Sequence, residues 1–277
     1  MKDYLKTFIK GICMGAADII PGISGGTIAL ITGIYERLIK GLAAINLNFL
    51  KPLLHGNFSH SYDEIKKIDF ALFIPLGLGI ILAILLMANL MDYLLTNFEP
   101  ITYAFFFGLI LGSAILILKD IRNYKVNNIL ILLIGSLIGF ILTIANTISF
   151  SNSLYSVFAL GFIAICAMIL PGISGSFILV LFGKYKFIIN SLIHFDFWVI
   201  SVFGLGALFG IIIFSRLLKI LLSKFKVQTL YFLVGLMFGA LNLPLNKFKD
   251  HASISVFIFL AIGLIITIFL KKLSKDI

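Results

Sequence analysis

The sequence predicts an all-α integral membrane protein. It is expected to be an inverted repeat, each half a re-entrant helical hairpin followed by three transmembrane helices. Three observations carry this. The 277-residue chain is 61% hydrophobic and 12% charged, with a mean hydropathy of +1.14, and its apolar runs reach the length of a membrane span. The pentapeptide Pro-Gly-Ile-Ser-Gly occurs twice, at 21–25 and 171–175, each time inside a long apolar run. The cations fall between the apolar runs, as juxtamembrane charges do, and not on a polar domain. The net charge of +10 is therefore no sign of a nucleic-acid partner.

The apolar blocks lie at 8–34, 70–91, 101–118, 129–147, 154–183, 197–215, 228–245 and 253–270, four per half. The single membrane domain, 1–277, divides into a first repeat, 1–150, and a second, 151–277. At an offset of 150, Gly11 matches Gly161, Gly33 matches Gly183 and Tyr35 matches Tyr185. After small changes of offset, Asp69-Phe70 matches Asp196-Phe197, and Gly79 matches Gly206. Further on, Phe98, Thr102, Gly108 and Gly112 match Phe225, Thr229, Gly235 and Gly239, and Gly139 matches Gly263. A broken apolar segment at matching places in two halves is the sequence mark of a transport site.

Charge decides how the first block of each half runs. If both blocks turn back on themselves, eighteen of the 22 Lys and Arg share one face, leaving only Lys184, Lys186, Lys247 and Lys249 opposite. If both cross, the same residues divide ten to twelve. The excess of cations on the cytoplasmic side selects the re-entrant arrangement, with both termini cytoplasmic. Three crossings per half then insert the second half upside down. Irregular backbone at membrane depth needs protein or a water-filled cavity around it, so the hairpins are expected to point toward each other. Residues 46–69 read as a solvated cytoplasmic loop or surface helix. Cys13 and Cys166 read as small buried hydrophobes, the histidines fall in loops, and no spacing suggests a metal or a cofactor.

Pro21 and Pro171 are expected to end the first half-helix of each hairpin, since proline lacks the N–H. Gly22, Gly25, Gly172 and Gly175 permit the reversal. Ser24 and Ser174 suit the N-cap of the returning half-helix. Gly26, Thr27 and Ser176 follow in its first turn, where free N–H groups and the positive dipole end favour an anion. Close helix packing by small residues is the plainer reading of the same glycines and serines.

Asp18 is the only charge between Lys10 and Glu36. An acid inside an apolar membrane segment is functional by default. It is expected to carry a proton for coupling, to pair with a cation, or to bond the N–H groups at 25–27. Its counterpart is Met168, so the hairpin itself does not demand an acid. Arg37 and Arg216 offer the bidentate fork that suits phosphate. Glu36-Arg37 also reads as a surface ion pair, and Arg216 as an anchor at the end of the run 197–215.

The stretch Met14-Gly-Ala-Ala-Asp-Ile-Ile-Pro-Gly-Ile-Ser-Gly-Gly-Thr27 with Gly33-Ile-Tyr-Glu-Arg37 closely resembles the signature of the bacterial DUF368 membrane proteins. So do Ala167-Met-Ile-Leu-Pro-Gly-Ile-Ser-Gly-Ser176, Phe214-Ser-Arg-Leu-Leu218 and Gly235-Leu-Met-Phe-Gly239. The resemblance covers nearly the whole chain. It implies a polyprenyl-phosphate transporter that returns undecaprenyl phosphate, the lipid carrier of cell-wall synthesis, across the bacterial cytoplasmic membrane. In that setting Arg37 or Arg216 would receive the phosphate at the cytoplasmic side. The pentapeptide is also similar to the Pro-Gly-x-Ser-Arg-Ser-Gly motif of the membrane undecaprenyl-pyrophosphate phosphatases. Here Gly25 and Gly175 stand where that motif has Arg, and the paired glutamates and Ser-Gly-His of its first motif are missing. Transport of another ion or small anion remains open on the residues alone.

Overall fold

A computed structural model describes residues 2–20, 23–45, 66, 68–145, 153–251 and 253–275. Pro21, Gly22 and most of the stretch 46–69 lie outside the described residues. Within them, all regular structure is helical. The first half contains α1 (Lys2–Asp18), α2 (Gly25–Ile31), α3 (Tyr35–Ala44), α4 (Phe70–Asn97), α5 (Glu99–Ile121) and α6 (Val126–Ile144). The second contains α7 (Leu154–Ile169), α8 (Gly175–Leu181), α9 (Tyr185–Ile193), α10 (Phe197–Lys224), α11 (Lys226–Ala240), α12 (Asn242–Phe248) and α13 (Ile254–Lys275). Six are long and apolar enough to cross a membrane: α4, α5, α6, α10, the α11–α12 pair and α13.

Positions that match in sequence perform the same local task. Asp69 and Asp196 cap α4 and α10 by accepting from Leu72 N at 3.0 Å and Val199 N at 3.2 Å. The Thr102 and Thr229 hydroxyls donate to Phe98 O and Phe225 O at 2.9 and 2.8 Å, in the first turns of α5 and α11. Gly33 and Gly183 end α2 and α8 with φ of +76° and +63°, a conformation nearly reserved for glycine.

The helices pair through glycine. Within each half α1 lies on α4 and α7 on α10; between halves α5 lies on α13 and α6 on α11. A Cβ on Gly11 would strike the Leu76 carbonyl, and one on Gly79 the Phe8 carbonyl. The matching Gly161 and Gly206 would strike Phe203 O and Phe158 O. Gly108 meets Leu260 O and Gly263 meets Phe105 O across the α5–α13 seam; Gly235 meets Leu132 O and Gly239 meets Ser136 O across α6–α11. Lipid gives no hydrophobic drive to helix pairing, so this close approach supplies van der Waals contact instead. Over an 18-residue apolar stretch, 61% of α5 and of α11–α12 is buried inside the protein, against 17–28% for α4, α6, α10 and α13. The first two form the centre, and the other four carry the lipid-facing side chains.

Two expectations change in detail. The run at 197–215 continues as helix to Lys224, because Leu217, Leu218, Ile220, Leu221 and Leu222 keep an apolar face going beyond Arg216. Arg216 therefore stands within α10 and does not end it. The block 228–245 breaks at Leu241, and Pro244 falls in the first turn of α12, where its missing N–H has no partner to lose.

Candidate functional site

Each pentapeptide leads a short returning helix. Lys10 Nζ donates to Thr32 O at 2.8 Å, and Gly25 N donates to Asp18 Oδ1 at 2.6 Å. These bonds tie the two ends of α2 to positions on α1 in reverse order, so the two helices are antiparallel. Ser24 caps α2 by accepting from Gly26 N at 3.1 Å. Ser174 caps α8 by accepting from Phe177 N at 3.1 Å, with the Ser176 hydroxyl 3.2 Å from its own. α8 and α9 bend by 117° at the glycine turn that follows.

The two hairpin tips meet. Ser24 Oγ donates to Leu170 O at 3.1 Å, and Gly172 N donates to Thr27 Oγ1 at 3.0 Å. The Tyr35 hydroxyl donates to Ile169 O at 3.2 Å. Gly172, next to Pro171, has φ +86°, and a Cβ there would lie 2.9 Å from Met237 Cα. A Cβ on Gly26 would lie 3.1 Å from Ile169 O, and one on Gly175 3.0 Å from Ala164 O. A cavity that reaches Gly172, Ile173 and Phe177 holds only about 10 Å³, barely the room of one water. The tips are thus closed against each other.

The two returning helices are not equivalent. At α2, Gly25 N goes to Asp18, Gly26 N to Ser24 Oγ and Thr27 N to Ser24 O at 3.0 Å. The expectation of a free N-terminus holds badly there, because a carboxylate of the chain itself already sits where an external anion was expected. At α8 the matching position is Met168, 42% exposed, and no acid takes that place. Of the three roles open to Asp18, a bond to a tip N–H is the one observed, and to Gly25 N alone.

Arg37 and Glu36 take distant partners, not each other. Arg37 forms a fork with Asp69, Nε to Oδ2 at 2.7 Å and Nη2 to Oδ1 at 3.0 Å. Glu36 pairs with Lys226 of the other half at 2.6 Å. Adjacent residues on a helix point apart, which is why the expected Glu36–Arg37 pair does not form. The Arg37 hydrogen bond holds the Asp69 carboxyl below the usual carboxylate range, and Asp69 in turn raises Arg37. Arg216 is exposed on α10 and shows no ion pair among the described residues.

Sequence reading missed two residues here. Lys10 looked like one more juxtamembrane cation beside Lys6, yet it is fully buried. Its match in the second half is Leu160, and that apolar counterpart was the available signal. Asp69 was seen only as half of a repeated Asp-Phe pair; its link to Arg37 spans 32 residues and needed the fold.

Residues 14–256 match a family model described as VCA0040-like, undecaprenyl phosphate translocase-like. A Vibrio cholerae protein named polyprenyl-phosphate transporter is 40% identical over 243 residues, covering 86% of this chain and 77% of that protein. A Staphylococcus aureus protein of the same name is 33% identical over 292 residues, covering 97% of this chain and 96% of that protein. No solved structure matches.

Proposed function

The chain belongs to the undecaprenyl phosphate translocase-like family, and on that premise we propose that it carries polyprenyl phosphate across the bacterial cytoplasmic membrane without cleaving it. The observation that carries this reading furthest is the contact of two hairpin tips, Ser24 to Leu170 and Thr27 to Gly172. A lipid phosphate needs a polar path for its headgroup while its tail stays in lipid. Two tips that part would open such a path between the halves, with Ser24, Gly25, Gly26 and Thr27 on one side, after Pro21 and Gly22, which lie outside the described residues. Pro171, Gly172, Ser174, Gly175 and Ser176 line the other. Arg37 and Arg216 receive the phosphate beyond them.

The accompanying topology is the inverted repeat of 1–150 and 151–277, with both hairpins re-entrant and both termini cytoplasmic. Two facts support it. α2 returns antiparallel to α1. Four ion pairs also join residues that the charge count puts on one face: Arg37–Asp69, Lys226–Glu36 and Lys271–Asp120 on one, Lys247–Glu99 on the other.

Asp18 is the coupling residue in this reading. Proton uptake removes the charge from the Asp18–Gly25 bond and weakens it, so that a substrate oxygen can take the Gly25 N–H, and proton release restores the closed tip. The test is reconstitution in liposomes with labelled polyprenyl phosphate, with and without a pH gradient. Movement between leaflets without phosphate release is expected. No movement, or release of inorganic phosphate, overturns the reading.

A further inference from the structure

We propose that the chain holds its lipid at a second place, a composite site on the α1–α4 face, with the phosphate in a basic cleft and the prenyl chain in the adjoining groove. This inference rests on the polyprenyl-phosphate reading above.

The cleft has a volume of about 530 Å³ and lies between the start of α1, the Gly33 turn, the start of α3 and the start of α4. Asp3, Lys6, Thr7 and Arg37 supply its polar wall. Arg37 spends two N–H groups on Asp69, which leaves three of its five donors for a ligand. Behind it lies Lys10, fully buried, whose ammonium has one hydrogen bond, to Thr32 O. Lys10 is near enough to Lys6 and Arg37 to be repelled by both. Among the described residues, two carboxylates, Asp3 in the cleft wall and Asp69 on Arg37, stand against these three cations. A buried ammonium without a carboxylate partner is costly, and an anion in the cleft offsets that cost.

The cleft does not end in water on its lipid side. It shares Tyr4 and Ala71 with an apolar groove of about 540 Å³, whose walls include Leu5, Phe8, Ile74 and Leu78. Leu5, Ile74 and Leu78 are 56–60% exposed on helices that face lipid. A basic chamber opening into an apolar channel fits one chemistry: a monophosphate ester on a single hydrocarbon chain. Inorganic phosphate would leave the groove empty. A diacyl phospholipid would have to fit two chains against one α1–α4 crossing.

The test uses the full chain in nanodiscs and a polyprenyl phosphate carrying a photoreactive group a few carbons from the phosphate, with the cross-linked residues mapped by mass spectrometry. Cross-links are expected on residues 4–8 and 71–78. Lys6→Gln weakens binding, and Ala71→Trp blocks the junction, each by about tenfold. Ala71 is exposed, so Trp there leaves the packing alone, and an unchanged melting temperature checks this. Inorganic phosphate and phosphatidylglycerol are run as competitors and are expected not to displace the probe. Cross-links only elsewhere, or both variants binding as wild type, overturn the site while normal leaflet movement keeps the transporter reading standing. Displacement by inorganic phosphate reduces the cleft to an anion site and also overturns it. A chain that neither binds nor moves polyprenyl phosphate ends both readings.

Discussion

Asp18 and Lys10 stand eight residues apart on α1 and grip opposite ends of the same short helix: Oδ1 of Asp18 accepts from Gly25 N, and Nζ of Lys10 donates to Thr32 O. The negative group lies at the N-terminus of α2 and the positive group at its C-terminus, the arrangement a helix dipole favours. In the second half the same places hold Met168 and Leu160. One hairpin is thus held by charge, the other by packing.

Asp18→Asn keeps an acceptor for Gly25 N at nearly constant volume but removes the titrating proton. The expected outcome is a protein that folds and binds the lipid phosphate, with transport no longer stimulated by a proton gradient. Liposome transport at matched and mismatched pH reads this directly. Gradient-driven transport at the wild-type rate would make Asp18 a structural residue only.

Lys10→Leu copies the second half. It loses one charge-assisted bond, worth about 1.5–3 kcal/mol, and also removes the cost of burying an ammonium. The melting temperature in detergent is therefore expected to move by only a few degrees, while lipid-phosphate binding weakens. A collapse of the fold would show that Thr32 O depends on its cation.

Glycine placement gives a paired test. Gly79→Ala and Gly206→Ala drive a methyl group into the carbonyls of Phe8 and Phe158. Each is expected to destabilise by about 1–3 kcal/mol, the usual cost of overpacking. Gly77→Ala and Gly204→Ala meet nothing within 4 Å and are expected to be neutral or slightly stabilising, since Ala favours helix. Equal effects in the two sets would refute the interlocking account of the α1–α4 and α7–α10 crossings.

Asp69→Asn keeps the cap on α4 and releases Arg37. Lipid-phosphate affinity is expected to rise a few-fold, because Asp69 and the phosphate compete for one guanidinium. The Asp69 carboxyl is held low in the folded chain. The stabilisation from its pair with Arg37 is therefore fully present above the ordinary carboxylate range, and is lost only as pH falls below it through the depressed value. Between pH 5 and 8 the pair is expected to stay intact, so any pH effect on binding in that window arises elsewhere.

The serine caps were legible because Pro-Gly-Ile-Ser-Gly places a serine just ahead of an apolar run, and Ser24 and Ser174 do cap. The matched glycines were legible as repeats but not as partners. Gly108 against Leu260 and Gly235 against Leu132 join helices of different halves, and nothing in either segment names the other. Lys10 and Lys6 have the same chemistry four residues apart, and only the packing of α2 over α1 buries one of them. Arg216 reads as the end of an apolar run, and that the helix itself goes on to Lys224 depends on the apolar face that continues past it.

The seams between α5 and α13 and between α6 and α11 impose an order on biogenesis. The ribosome finishes α5 and α6 more than a hundred residues before α13. Until α13 and α11 follow, Gly108 and Gly135 respectively present bare grooves to the bilayer, and lipid must stand in for the helices that will displace it. A nascent chain arrested before α13 would leave α5 in that provisional state, a natural target for membrane quality control.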